Sequence, residues 1–96
     1  MDLPAIIRER RQQILDIARK YGAFEVRIFG SAARGESGPC SDLDVLVKLE
    51  PGRSLLDIVA IKQDLSDLLG CEVDVVTEAA VSPYIRQQVL RESINL

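Results

Sequence analysis

The chain has 96 residues, with 12 Lys and Arg against 15 Asp and Glu, no His and a net charge of −3. That length fits one domain, 1–96, with one modest core, and 47% apolar content with 4% aromatics makes the core aliphatic. The acidic balance argues against direct nucleic-acid binding and the few aromatics against base-stacking platforms, while the missing histidine removes Ser-His and Cys-His nucleophiles.

Leu3, Ile7, Ile14, Ala18 and Tyr21 recur at helical spacing, with Pro4 in a first turn and Gly22 as a stop. The pattern predicts one helix over Pro4–Tyr21. Its basic cluster, Arg8-Glu9-Arg10-Arg11, reads as a solvated face, although Arg11 falls close to the apolar stripe. Phe24–Phe29 reads as a strand, residues 31–41 as a Gly, Ser and Pro-rich turn, and Leu43–Leu49 as a second strand. Pro51-Gly52 marks a turn. Ser54 with Asp57 forms a capping-box pattern that opens a helix. The apolar side of that helix reads as Leu55, Ile58, Leu65 and Leu69, flanked by Ile61 and Leu68, and Gly70 stands at its C-terminal cap. Val73–Thr77 is a third strand. Ser82-Pro83 starts a last helix that runs to about Glu92. The order α-β-(turn)-β-α-β-α describes an α/β domain with a small mixed β-sheet flanked by helices.

The chemistry concentrates after the first strand, in Gly30-Ser31-Ala32-Ala33-Arg34-Gly35 and Ser41-Asp42-Leu43-Asp44. A Gly-Ser turn leaving a strand can present backbone N–H groups and the Ser31 hydroxyl to phosphate oxygens, and Arg34 can add a charge-assisted bond. Read blandly, Gly30-Ser31 is a plain turn and Arg34 a surface partner of Glu36. Asp42 and Asp44 point to one face of their strand because strand side chains alternate. Aspartate is disfavoured within strands, and Asp44 lies between Leu43 and Val45, so a cation is the simplest partner for it. Asp74 stands in a similar apolar run and makes a third carboxylate if its strand adjoins the second. Oxygen-only ligands next to phosphates suit Mg²⁺, whereas the residues an EF-hand loop needs are absent. Two cysteines without histidine are too few for a standard zinc site. Cys40 and Cys71 read as incidental small residues, Ser41 as a turn residue and Tyr84 as a helix residue. No signal peptide or 18-residue apolar run is visible, so the expected location is cytoplasmic, with reduced thiols and no membrane contact.

Gly30-Ser31, ten intervening residues, Asp42-Leu43-Asp44 and a later Asp74 resemble the signature of the polymerase beta-like nucleotidyltransferase superfamily. The compact form is similar to the minimal nucleotidyltransferases, the MNT family. That resemblance implies a polymerase beta-like fold and transfer of a nucleoside monophosphate, AMP from ATP, to a hydroxyl. It implies that Asp42, Asp44 and Asp74 are catalytic and hold two Mg²⁺ ions, and that Gly30, Ser31 and Arg34 bind the nucleotide. It also implies a helical HEPN partner, an RNase toxin that the MNT protein neutralises as antitoxin by adenylylating a tyrosine. Two other readings remain open from the residues: a nucleotide-binding catalytic subunit of a two-chain small-molecule transferase, and an antitoxin that acts by contact alone.

Overall fold

The computed structural model describes residues 5–30 and 43–96. Its helices are α1 (Ala5–Glu9), α2 (Arg11–Lys20), α3 (Leu55–Leu69) and α4 (Pro83–Glu92). Its strands are β1 (Ala23–Phe29), β2 (Leu43–Leu49), β3 (Val73–Thr77) and β4 (Ile94–Asn95), which form one sheet in the order β3-β2-β1-β4. β1 pairs antiparallel with β2 and with β4, and β2 pairs parallel with β3. The sheet is therefore mixed, as expected. α3 is the crossover that a parallel β2–β3 pair requires.

Alternation along β2 explains the layering. Leu43, Val45 and Val47 are buried on one face, with Val73 and Val75 of β3 beside them. They pack in one core with Ile14 and Ala18 of α2 and Ile61, Leu65 and Leu69 of α3. The Tyr21 hydroxyl donates to Asp64 Oδ2 at 2.9 Å and ties the end of α2 to α3. The opposite face of β2 carries Asp44, the buried Leu46 and the exposed Lys48.

α3 is bounded as the sequence requires. Ser54 Oγ accepts from the Leu56 N–H at 3.2 Å, the Ser54 N–H donates to Asp57 Oδ2 at 3.0 Å, and Gly70 closes the helix with φ 69°. Its core stripe differs in one place. Leu55, placed by its pattern on the apolar side, is 80% exposed, as is Leu56. Leu55 lies six residues before Ile61, which at about 100° per residue puts it some 120° around the helix from the most buried position.

Three other features depart from the sequence reading. The single helix expected over Pro4–Tyr21 is interrupted at Arg10, whose φ of −102° and ψ of 11° are off-helical. The bonds Arg10 N–H to Ile6 O (3.0 Å) and Ile14 N–H to Arg10 O (2.9 Å) span the break, so it is a bend between two hydrogen-bonded pieces. Arg8, Arg10 and Arg11 are all exposed, so the basic cluster is a solvated face. A 3-10 turn over Glu78–Ala80 follows β3, and β4 adds a fourth strand that returns to pair Ile94 with Ile28.

β1 contains a bulge between Phe24 and Arg27, where Glu25 adopts φ 50°. The Lys48 ammonium lies 2.9 Å from the Glu25 carboxylate and 3.2 Å from that of Glu78. Hydrogen bonds to both carboxylates raise its pKa above the ordinary 10.5, with Glu25 the larger influence. No helix among the described residues is long and apolar enough to cross a membrane.

Candidate functional site

Strand register brings the described part of the expected site to one end of the sheet. Asp44, the second residue of β2, is paired with Phe29, the last residue of β1, and with Asp74, the second residue of β3. Directly paired residues share a face, and parallel strands run about 4.8 Å apart. The Asp44 and Asp74 carboxylates therefore stand side by side on the face opposite the α2–α3 layer. The Asp74 side chain is 59% exposed, with Lys62 Nζ 4.0 Å from its Oδ1. Asp44 is half-buried in the middle of the sheet.

Gly30 leaves β1 at the same end with φ 75°. A Cβ at this position would overlap Asp44 Oδ2 and lie 3.2 Å from Asp44 Cγ. Glycine thus serves two needs here: a left-handed backbone and a backbone–carboxylate approach that no side chain allows. The motif reading placed Gly30 in a phosphate turn, and the geometry adds that this turn starts against the Asp44 carboxylate.

Three of the six expected site residues, Gly30, Asp44 and Asp74, are thereby brought together. The other three, Ser31, Arg34 and Asp42, lie outside the described residues, as do Cys40 and Ser41. Cys71 is half-buried and Tyr84 is 97% exposed. Sequence reasoning missed the residues that face Gly30 from α4: Ile85, Gln88, Val89 and Glu92 border a groove of about 320 Å³ together with Phe29 and Gly30. Their i, i+3, i+4, i+7 spacing was a legible signal of one helix face, but nothing local indicated which strand that face would meet.

A mixed four-strand sheet backed by helices on one side, with aligned carboxylates beside a glycine turn on the other, is the architecture of the polymerase beta-like nucleotidyltransferases. The chain belongs to the nucleotidyltransferase domain family, whose model matches residues 10–96. It is 40% identical over 90 residues to a Methanocaldococcus jannaschii protein assigned as a protein adenylyltransferase, covering 94% of this chain and 97% of that one. It is 37% identical over 79 residues to the protein adenylyltransferase MntA of Thermococcus cleftensis, covering 82% of this chain and 80% of the relative. A solved chain described as a minimal nucleotidyltransferase superposes with a TM-score of 0.88 at 50% identity, over 100% of this chain and 97% of that one. A Shewanella oneidensis MNT antitoxin, solved in complex with its tri-AMPylated HEPN toxin, shares the fold with a TM-score of 0.70 at 20% identity, over 92% of this chain and 69% of that one. The resemblance read from Gly30-Ser31 and Asp42-Leu43-Asp44 is borne out at the level of family, fold and enzyme class.

Proposed function

We propose that this nucleotidyltransferase moves AMP from ATP to a hydroxyl of a partner protein, a tyrosine of a HEPN RNase toxin, and so acts as its antitoxin. The observation that carries this reading is the register of Asp44 with Asp74 beside Gly30. Relatives named as protein adenylyltransferases over most of their length support the AMP donor and the protein acceptor. The HEPN partner rests on the MNT resemblance and on the fold shared with the solved MNT–HEPN complex.

Two carboxylates held side by side repel, and an oxygen-only donor set of this kind fits Mg²⁺. Asp44 and Asp74, with Asp42, would hold it; bound there, it would neutralise charge on the phosphates and on the attacking and leaving oxygens. The residues do the rest. The Gly30 turn, with Ser31 and Arg34, holds the leaving phosphates. Asp74, the more exposed carboxylate at the sheet edge, takes the proton of the acceptor hydroxyl. The acceptor oxygen forms a bond to the α-phosphorus, the bond from that phosphorus to the oxygen bridging the β-phosphate breaks, and pyrophosphate leaves. The product is a tyrosine carrying a phosphodiester-linked adenosine.

The test is intact-mass spectrometry of the helical partner after incubation with this chain, ATP and Mg²⁺. The reading requires addition of whole AMP groups, lost with Asp44→Asn plus Asp74→Asn. A partner inhibited but unmodified, equally well by the double variant, would replace it with inhibition by contact. Modification of a small molecule in place of the protein would replace it with the two-chain transferase reading.

A further inference from the structure

We infer that the groove between the end of β1 and α4 receives the base of the nucleotide, and that Gln88 selects adenine over guanine through the 6-position of the purine. The inference rests on the nucleotide-transfer reading above.

The groove is bordered by Phe29 and Gly30 on one side and by Ile85, Gln88, Val89 and Glu92 on the other. Its volume of about 320 Å³ exceeds that of a single purine ring system and suits a base with part of its ribose. Phe29, Val89 and the half-exposed Ile85 supply apolar walls for the flat faces of a base. Gly30 belongs both to the groove and to the turn proposed for the phosphates, so one nucleotide would span the two.

Strand order separates this groove from the acceptor. Asp74, which takes the acceptor proton, lies on β3, two strands from β1, so roughly 10 Å across the sheet at about 4.8 Å per strand. The groove lies on the β1 side of Asp44, away from the acceptor, where the nucleotide is held.

The polar edge of the groove has a defined sense. Gln88 Nε2 donates to Glu92 Oε1 at 3.3 Å. That bond fixes which end of the Gln88 amide is nitrogen and leaves its carbonyl oxygen as the acceptor offered to a ligand. An acceptor there pairs with the 6-amino group of adenine and opposes the 6-oxo group of guanine. Specificity of this kind comes from a polar group that the wrong base leaves unpaired.

The experiment is titration of the purified chain, with Mg²⁺ present, by ATP, GTP and inorganic tripolyphosphate. Val89→Trp fills the groove, and because the chain has no tryptophan it also places a single tryptophan reporter there. Gln88→Met keeps the length of the exposed side chain and removes its acceptor. Val89→Trp should weaken ATP at least about tenfold, the size of one good interaction, and leave tripolyphosphate unchanged. Gln88→Met should reduce the preference for ATP over GTP by about the same factor. The inference is overturned if both variants bind ATP and GTP as the parent does, or if Val89→Trp weakens tripolyphosphate as much as ATP. A parent chain that binds neither ATP nor tripolyphosphate overturns the nucleotide-transfer reading as well; a parent that binds both, with indifferent variants, overturns the base groove alone.

Discussion

Replacing Gly30 by alanine should damage the chain through two separable effects. At φ 75° an alanine sits in the left-handed region, which costs about 1–2 kcal/mol. Its Cβ would also overlap Asp44 Oδ2. That oxygen ends a short side chain, so the carboxylate can rotate away, at about 0.5–1.5 kcal/mol for leaving its rotamer. The sum is about 1.5–3.5 kcal/mol, and at about 4–8 °C per kcal/mol for a domain of this size the unfolding midpoint should fall by roughly 6–28 °C. The effects separate in a double-mutant cycle. With Asp44→Ala already present, Gly30→Ala should cost only the backbone part, which leaves a coupling of about 0.5–1.5 kcal/mol. Urea denaturation of the four proteins, in EDTA, measures it. An equal loss in both backgrounds would refute the close approach of Gly30 to the Asp44 carboxylate, and no loss in either would refute the left-handed turn as well.

Asp74→Asn removes one of two like charges paired in register, worth roughly 0.2–1 kcal/mol, and with it the exposed Lys62 contact at 4.0 Å, worth less at that distance, so stability in EDTA should rise slightly; it should also abolish any rise in the melting midpoint that Mg²⁺ gives the parent. Ile61→Ala in the α3 stripe should cost about 2–5 kcal/mol, whereas Leu55→Ala, at a position 80% exposed, should stay within about 0.5 kcal/mol by urea denaturation. Ser54→Ala removes the acceptor for the Leu56 N–H and should cost about 1 kcal/mol in the same assay. The pKa of Lys48 is raised in the folded state, so its stabilising effect is complete below the ordinary value of 10.5 and is lost as pH rises through the higher folded value. Above pH 10.5 the parent should therefore lose stability more steeply than Lys48→Met, and parallel pH profiles would discount the Glu25–Lys48–Glu78 bridge.

Signals confined to a few neighbouring residues were legible in the sequence. The Ser54–Asp57 box and Gly70 bounded α3 to the residue, and short apolar runs between turn signals marked β2 and β3 as strands, each carrying an aspartate. Register was legible only in part. Alternation cannot say which strands adjoin, so the meeting of Asp44 with Asp74 was conditional until the parallel pairing was known. β4 gave no signal because two residues carry no period and their partners, Arg27 and Ile28, stand far back in the chain. The bend at Arg10 has neither proline nor glycine to announce it. Leu55 was misplaced because an apolar residue at a helix start fits the stripe loosely, and only the sheet beneath decides whether it is covered.

The pairing of Val73 with Leu43 and of Val75 with Val45 also acts as a proofreading device during folding. A slip of β3 by one residue would turn Asp74 into the aliphatic core and Val73 and Val75 out to water. Burying one unpaired carboxylate costs several kcal/mol, and exposing each valine forfeits about 1.5–3 kcal/mol more. The misregistered sheet is therefore strongly penalised by the same aspartate that the correct one presents to solvent. Asp74 thus serves as a key that rejects one-residue slips between the two strands, and variants that neutralise it would gain freedom to mispair.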